Sequence, residues 1–96
     1  MKAIYADLNK FASGAIPLTT IGTRRDLEMY EITLEENLAL VFYMDDVDEN
    51  GNADNLIFPG IVQFDAANQV WVAKVDPDQI KNESKLTYDE KVKLEY

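Results

Sequence analysis

Apolar and polar positions alternate from the start of the chain. Ile4, Ala6 and Leu8 share one parity and Ala3, Tyr5 and Asp7 the other, the period-two pattern of a half-buried β-strand. Ser13-Gly14 breaks it, and Ile16-Pro17-Leu18-Thr19-Thr20-Ile21 then reads as a short edge strand whose proline sits near its beginning, where a missing donor matters least. Thr23-Arg24-Arg25-Asp26 predicts a helix start with Thr23 as N-cap, turning Leu27 and Tyr30 inward. A competing alternation, Tyr30, Ile32 and Leu34 against Glu31 and Thr33, implies that this helix runs into an extended stretch. Leu34-Glu35-Glu36-Asn37-Leu38 predicts a tight turn, because Asn37 tolerates the left-handed region.

Ala39-Leu40-Val41-Phe42-Tyr43-Met44 is apolar on both parities and belongs in the middle of a sheet. Leu56 to Phe64 is a second long strand, with a bulge or bend expected at Pro59-Gly60. Asp65-Ala66-Ala67-Asn68 forms a hairpin loop that returns through Gln69 to Val75. Asp76-Pro77-Asp78-Gln79 carries a capping residue, a proline at the first helical position and a capping-box partner, so a short helix burying Ile80 is expected within 76–85. Val92, Leu94 and Tyr96 alternate with Lys93 and Glu95 at the end. These elements predict a mainly β fold: a small antiparallel, partly open barrel, SH3-like or OB-like, of five or six short strands with one or two short helices. An open sheet covered by the 76–85 helix is the alternative. A single compact β-rich domain is expected over 1–85, with 86–96 as a C-terminal edge strand or frayed tail.

Charge changes this picture. The chain holds 18 acidic and 9 basic residues in 96, a formal −9. The stretch from Asp26 to Ala73 contains 11 acids and no lysine or arginine, so it must be well solvated or face either the basic chain ends or a partner. There is no cysteine and no histidine, which excludes disulfides, thiolate nucleophiles, zinc ribbons, serine–histidine triads and haem ligation by histidine. No enzymatic activity is expected. No apolar run is long enough to span a bilayer and no signal-peptide core is present, so no membrane association and a cytoplasmic location are expected. Asn82-Glu83-Ser84 matches a glycosylation sequon, which has no consequence in an unsecreted chain.

The sharpest motif is Asp46-Val47-Asp48-Glu49-Asn50-Gly51-Asn52-Ala53-Asp54. Asp46, Asp48, Asn50 and Asp54 occupy oxygen-donor positions that resemble the first half of an EF-hand loop, with Gly51 at the turn. Ile57 stands where the bidentate glutamate belongs, which excludes a true EF-hand. A solvated hairpin loop explains the same residues, so no cofactor is expected and Ca²⁺ is retained only as a weak ligand of these four positions. Asp45 and Asp46 adjoin at a strand end, but neighbours on a strand point to opposite faces; Asp45 could instead meet Asp65 or Asp76 across the sheet.

Arg24 and Arg25 are the only arginines and oppose the dipole at a helix N-terminus, which marks them as candidates for a partner interface. Trp71 is either a core plug or, with Tyr43 and Asp45, part of a recognition face. RNA-binding barrels pair such aromatics with cations, which residues 26–73 lack, so nucleic acid is not an expected partner. The reading favoured by the sequence is a small acidic protein-interaction module for a basic partner. A structural or accessory domain forming a homodimer through an edge strand is the first alternative, and a weak divalent-cation module at 46–54 the second.

Overall fold

The computed structural model describes residues 3–94. Six strands form one sheet: β1 (Ala3–Tyr5), β2 (Ala15–Pro17), β3 (Ala39–Met44), β4 (Leu56–Asp65), β5 (Val70–Lys74) and β6 (Lys81–Asn82). Their order is β1-β3-β4-β5-β2, and β6 continues the line of β5 by pairing with the start of β4. The sheet does not close into a barrel. It is mixed rather than antiparallel, since β1 runs parallel to β3 while every other pair is antiparallel. A parallel pair needs a long crossover, and the 6–38 connection supplies it by carrying β2 to the far edge and a helix, α1 (Ile21–Met29), back to the edge of β1.

Register explains the core. Ile4 faces Phe42, which faces Phe58; Val62 faces Ala73, which faces Ile16. These six residues form two cross-strand rows on one face, and all are fully buried. The Phe42 and Phe58 rings stack at 5.9 Å. Leu18, Leu27 and Val75 close over them, with Leu8, Phe11, Ile32, Leu34 and Ile80 packed around the margin. Each of the fully buried Ile, Phe and Val side chains contributes about 1.5–3 kcal/mol relative to exposure. β4 is paired without interruption through Pro59 and Gly60, so the expected bulge is absent. Glycine is required there for another reason: an added Cβ would stand 2.8 Å from the Phe42 ring.

The outer edges of β1 and β2 are blocked. The outward-facing N–H of Tyr5 donates to the Asp26 carboxylate at 3.0 Å, and the Tyr5 carbonyl accepts from the Thr23 hydroxyl. Two side chains of α1 thus replace a neighbouring strand, and both are buried. At the other edge, Ala15 exchanges backbone bonds with Ala12, and Pro17 offers no donor. The α1 N-cap is Thr20, not Thr23, because Thr23 is committed to β1.

The 76–85 segment is not a helix of the expected length. Asp76 caps a single 3-10 turn (Pro77–Gln79), after which the chain pairs with β4 as β6 and makes a second turn (Glu83–Lys85). The expected C-terminal edge strand is instead a helix, α2 (Tyr88–Lys93), started by a complete capping box between Thr87 and Glu90. The alternation that suggested a strand extends to Glu95 and Tyr96, which lie outside the described residues.

Candidate functional site

The face of the sheet opposite the phenylalanine core carries a third cross-strand row, Tyr5–Tyr43–Ile57. Ile57 is only 2 % exposed and the neighbouring Ala3 is buried, so this second face has an apolar floor. Tyr5 meets Tyr43 edge to face at 5.8 Å, and its ring lies against Gly22 of α1. β3 ends beside this row and passes into the acidic 45–55 segment.

That segment is a tight hairpin. Val47 pairs with Ala53, Asp48 N–H donates to the Asn52 carbonyl at 2.8 Å, and Gly51 takes a φ of 81° to turn the chain. The Asp48 carboxylate folds inward and accepts from the N–H groups of Asn50 and Asn52, both at 2.9 Å. The hairpin base is then stitched to residues 82–84. The Asn82 amide donates to the Asp46 carboxylate (3.1 Å) and the Asp54 carbonyl (2.9 Å). Ser84 donates through both its N–H and its hydroxyl to the Asp54 carboxylate, and Glu83 N–H donates to the Asn55 carbonyl. The sequence Asn82-Glu83-Ser84 is therefore a structural clasp, and it sets Glu83 at the rim of the second face.

The result is a hollow of about 430 Å³. Ala3 and Ile57 are among its lining, together with Tyr30, Tyr43, Asn55 and two carboxylates, Asp45 and Glu83. Neither carboxylate forms an ion pair with another described residue. The adjacent Asp26 is held by Arg25, whose Nε stands 3.3 Å from Oδ1. Burial, and after it the negative charge of Asp26, pushes the Tyr43 phenol above its ordinary value, so the ring stays neutral at physiological pH. The site is negative, with aromatic groups and an apolar base. It offers hydrogen-bond acceptors to a cation and repels anions.

The residues singled out from sequence divide into separate groups. Tyr43 and Asp45 line this hollow, and Arg25 adjoins it through Asp26. Arg24 lies with Arg25 on the outer surface of α1, where Ile21 (87 % exposed) and Met29 flank them. Trp71 does not join Tyr43: it pairs with Phe64 at the opposite end of β4 and on the opposite face, packing edge to face against that ring at 5.1 Å and against the core. Asp45 does not meet Asp65 across the sheet, since the two sit at opposite ends of β4's pairing. Asp46, Asp48 and Asp54 send their carboxylates to Asn82, the turn backbone and Ser84 respectively, while Asn50 lies exposed at the hairpin tip. Among the described residues no group of three or more His, Cys, Asp or Glu side chains stands close enough to hold a metal ion.

Tyr30, Asn55 and Glu83 were not distinguishable as site residues from sequence, because they come from a helix end, a loop and a turn far apart in the chain. Comparison with protein-family models, curated proteins and solved structures gave no significant match for this chain. No helix of the described residues is long and apolar enough to cross a membrane.

Proposed function

We propose that this chain is a small acidic interaction module of the cytoplasm that binds a basic protein partner and carries out no catalysis of its own. One observation carries the reading: the end of the sheet formed by the 45–55 hairpin and residue 83 presents Asp45, Glu49 and Glu83 without a pairing cation from the described residues. Uncompensated carboxylates at one end of a molecule steer a basic partner towards that end and disfavour acidic ones. The blocked outer edges of β1 and β2 weigh against a homodimer built by strand pairing. The separate partners of Asp46, Asp48 and Asp54 weigh against a cation-binding loop.

Affinity capture from the native host's lysate tests the reading when wild type is run beside the Asp45→Lys/Glu49→Lys variant, at about 0.1 M and about 0.5 M salt. The expected outcome is a basic protein retained by wild type at low salt, released at high salt and missed by the variant. Failure to retain any specific protein, or equal retention by the variant, refutes it.

A further inference from the structure

We infer that the hollow lined by Tyr30, Tyr43, Asp45 and Glu83 is a socket for a single organic cation, the lysine ammonium or arginine guanidinium of a basic partner. The inference rests on the interaction-module reading and names the group that the module would grip. Three features of the hollow select this chemistry. Its carboxylates, Asp45 and Glu83, are acceptors only and have no cation among the described residues. Two tyrosines line it, and the face of a tyrosine ring attracts a cation through its quadrupole. Ala3 and Ile57, both buried, close the base of the hollow without a polar group, which leaves its polar character to the carboxylates and tyrosines.

Other ligand classes fit less well. An anion would meet Asp45, Glu83 and the nearby Asp26. A hard metal ion needs more converging oxygens than two carboxylates at a rim. Of the neighbouring cations, Arg25 is committed to Asp26, and Lys81, the strand partner of Ile57, is committed to Glu90. The larger hollow at the other end of the same face, about 550 Å³, mixes Lys10 and Lys74 with Asp65 and so favours neither sign of charge. At about 430 Å³ the hollow, open on its outer side, has room for one side chain of a partner.

The test is an NMR titration of ¹⁵N-labelled full chain with an acetylated and amidated Gly-Lys-Gly peptide. Its arginine and norleucine counterparts are run in parallel. The expected result is saturable shifts of the Tyr43, Asp45 and Asn55 amides with the two basic peptides below about 20 mM, and none with norleucine. Asp45→Asn and Glu83→Gln, which preserve side-chain shape, should each weaken binding by about threefold or more. Shifts shared by norleucine, shifts spread over all acidic loops, or indifference to both carboxylate variants would overturn the socket. Tighter saturation by free cadaverine than by the lysine peptide would assign the hollow to small amines and overturn its assignment to a protein side chain. The two readings fail separately. Lysate capture that survives while the hollow ignores the peptides sinks only the socket, and a peptide-binding hollow with no captured partner sinks only the module.

Discussion

At Gly60 a Cβ would lie 2.8 Å from Cε2 and 3.1 Å from Cδ2 of Phe42, and 3.3 Å from the Lys74 carbonyl oxygen. The ring cannot move aside easily, because it is fully buried and stacked on Phe58. Gly60→Ala is therefore expected to destabilise the fold by about 1–3 kcal/mol, the cost of overpacking a filled core. Phe42→Leu should make that alanine cheaper, so urea unfolding of the double variant should show less than the sum of the two single losses. A Gly60→Ala cost below about 0.5 kcal/mol would contradict the close approach. The Pro59-Gly60 pair was visible in the sequence as a special point, but its cause was not. A bulge is a local event, whereas contact with Phe42 depends on a register set by two whole strands. Thr23 and Asp26 teach the same lesson. Both look like ordinary cap residues, yet their side chains are buried to satisfy the free edge of Tyr5, a partner 18 and 21 positions away.

Strands and turns were more legible than helices at the scale of the element. The 39–44 and 56–64 strands and the left-handed Asn37 (φ 67°) follow the expected pattern, and the 65–68 loop is displaced by one residue to 66–69, with Gln69 left-handed (φ 55°), since alternation and turn chemistry are short-range signals. Helix ends were less so. α1 stops with Glu31 in the left-handed region (φ 55°) and Ile32 N–H bonded back to the Leu27 carbonyl, a glycine-like ending without a glycine. Asp76-Pro77 makes only one turn because pairing of Lys81–Asn82 with β4 takes the chain away before a helix can propagate. The clasp at 82–84 was hidden inside a glycosylation-like triplet, and it yields a pH-dependent prediction. Hydrogen bonds from the Ser84 hydroxyl, then from its N–H, lower the Asp54 pKa below its ordinary 3.8. A depressed folded-state pKa means that the stabilisation is complete above the unfolded value and is lost as pH falls through the folded one. Ser84→Ala should thus lower the urea midpoint at pH 7, with the gap from wild type closing below the carboxylate range. Carbon-13 titration should find Asp54 moved back up towards its ordinary value. A gap that stays constant with pH would show that Ser84 acts through packing instead.

For the whole molecule, the charge layout was the most legible property in the sequence and the hollow the least, because the latter assembles Ala3, Tyr30, Tyr43, Asn55 and Glu83 from five different segments. The layout makes a prediction about stability that is independent of any partner. With a formal −9, and with 11 acids and no base between residues 26 and 73, folding brings like charges together that the extended chain holds apart. Among the described residues, the Arg25–Asp26 and Lys81–Glu90 pairs offset little of this: the first joins a side chain that is 64 % exposed to a buried carboxylate, and the second joins two partly exposed groups. Repulsion between surface charges is screened once the Debye length falls below their separation, from about 30 Å in 0.01 M salt to less than 10 Å above 0.1 M. Thermal stability should consequently rise as sodium chloride is increased from about 0.01 M to about 0.5 M. Glu35 and Glu49 are exposed, and neither side chain is an anchor of the turns around it. Replacing both with lysine changes the formal charge from −9 to −5, since each exchange adds two positive units. Glu35→Lys/Glu49→Lys should accordingly raise the melting temperature at low salt, and the gain should vanish at about 0.5 M. That convergence separates screening from a general salting-in or salting-out effect, which would shift both proteins alike. A melting temperature that falls with added sodium chloride would mean that attractive pairs, not self-repulsion, dominate the electrostatics of the fold.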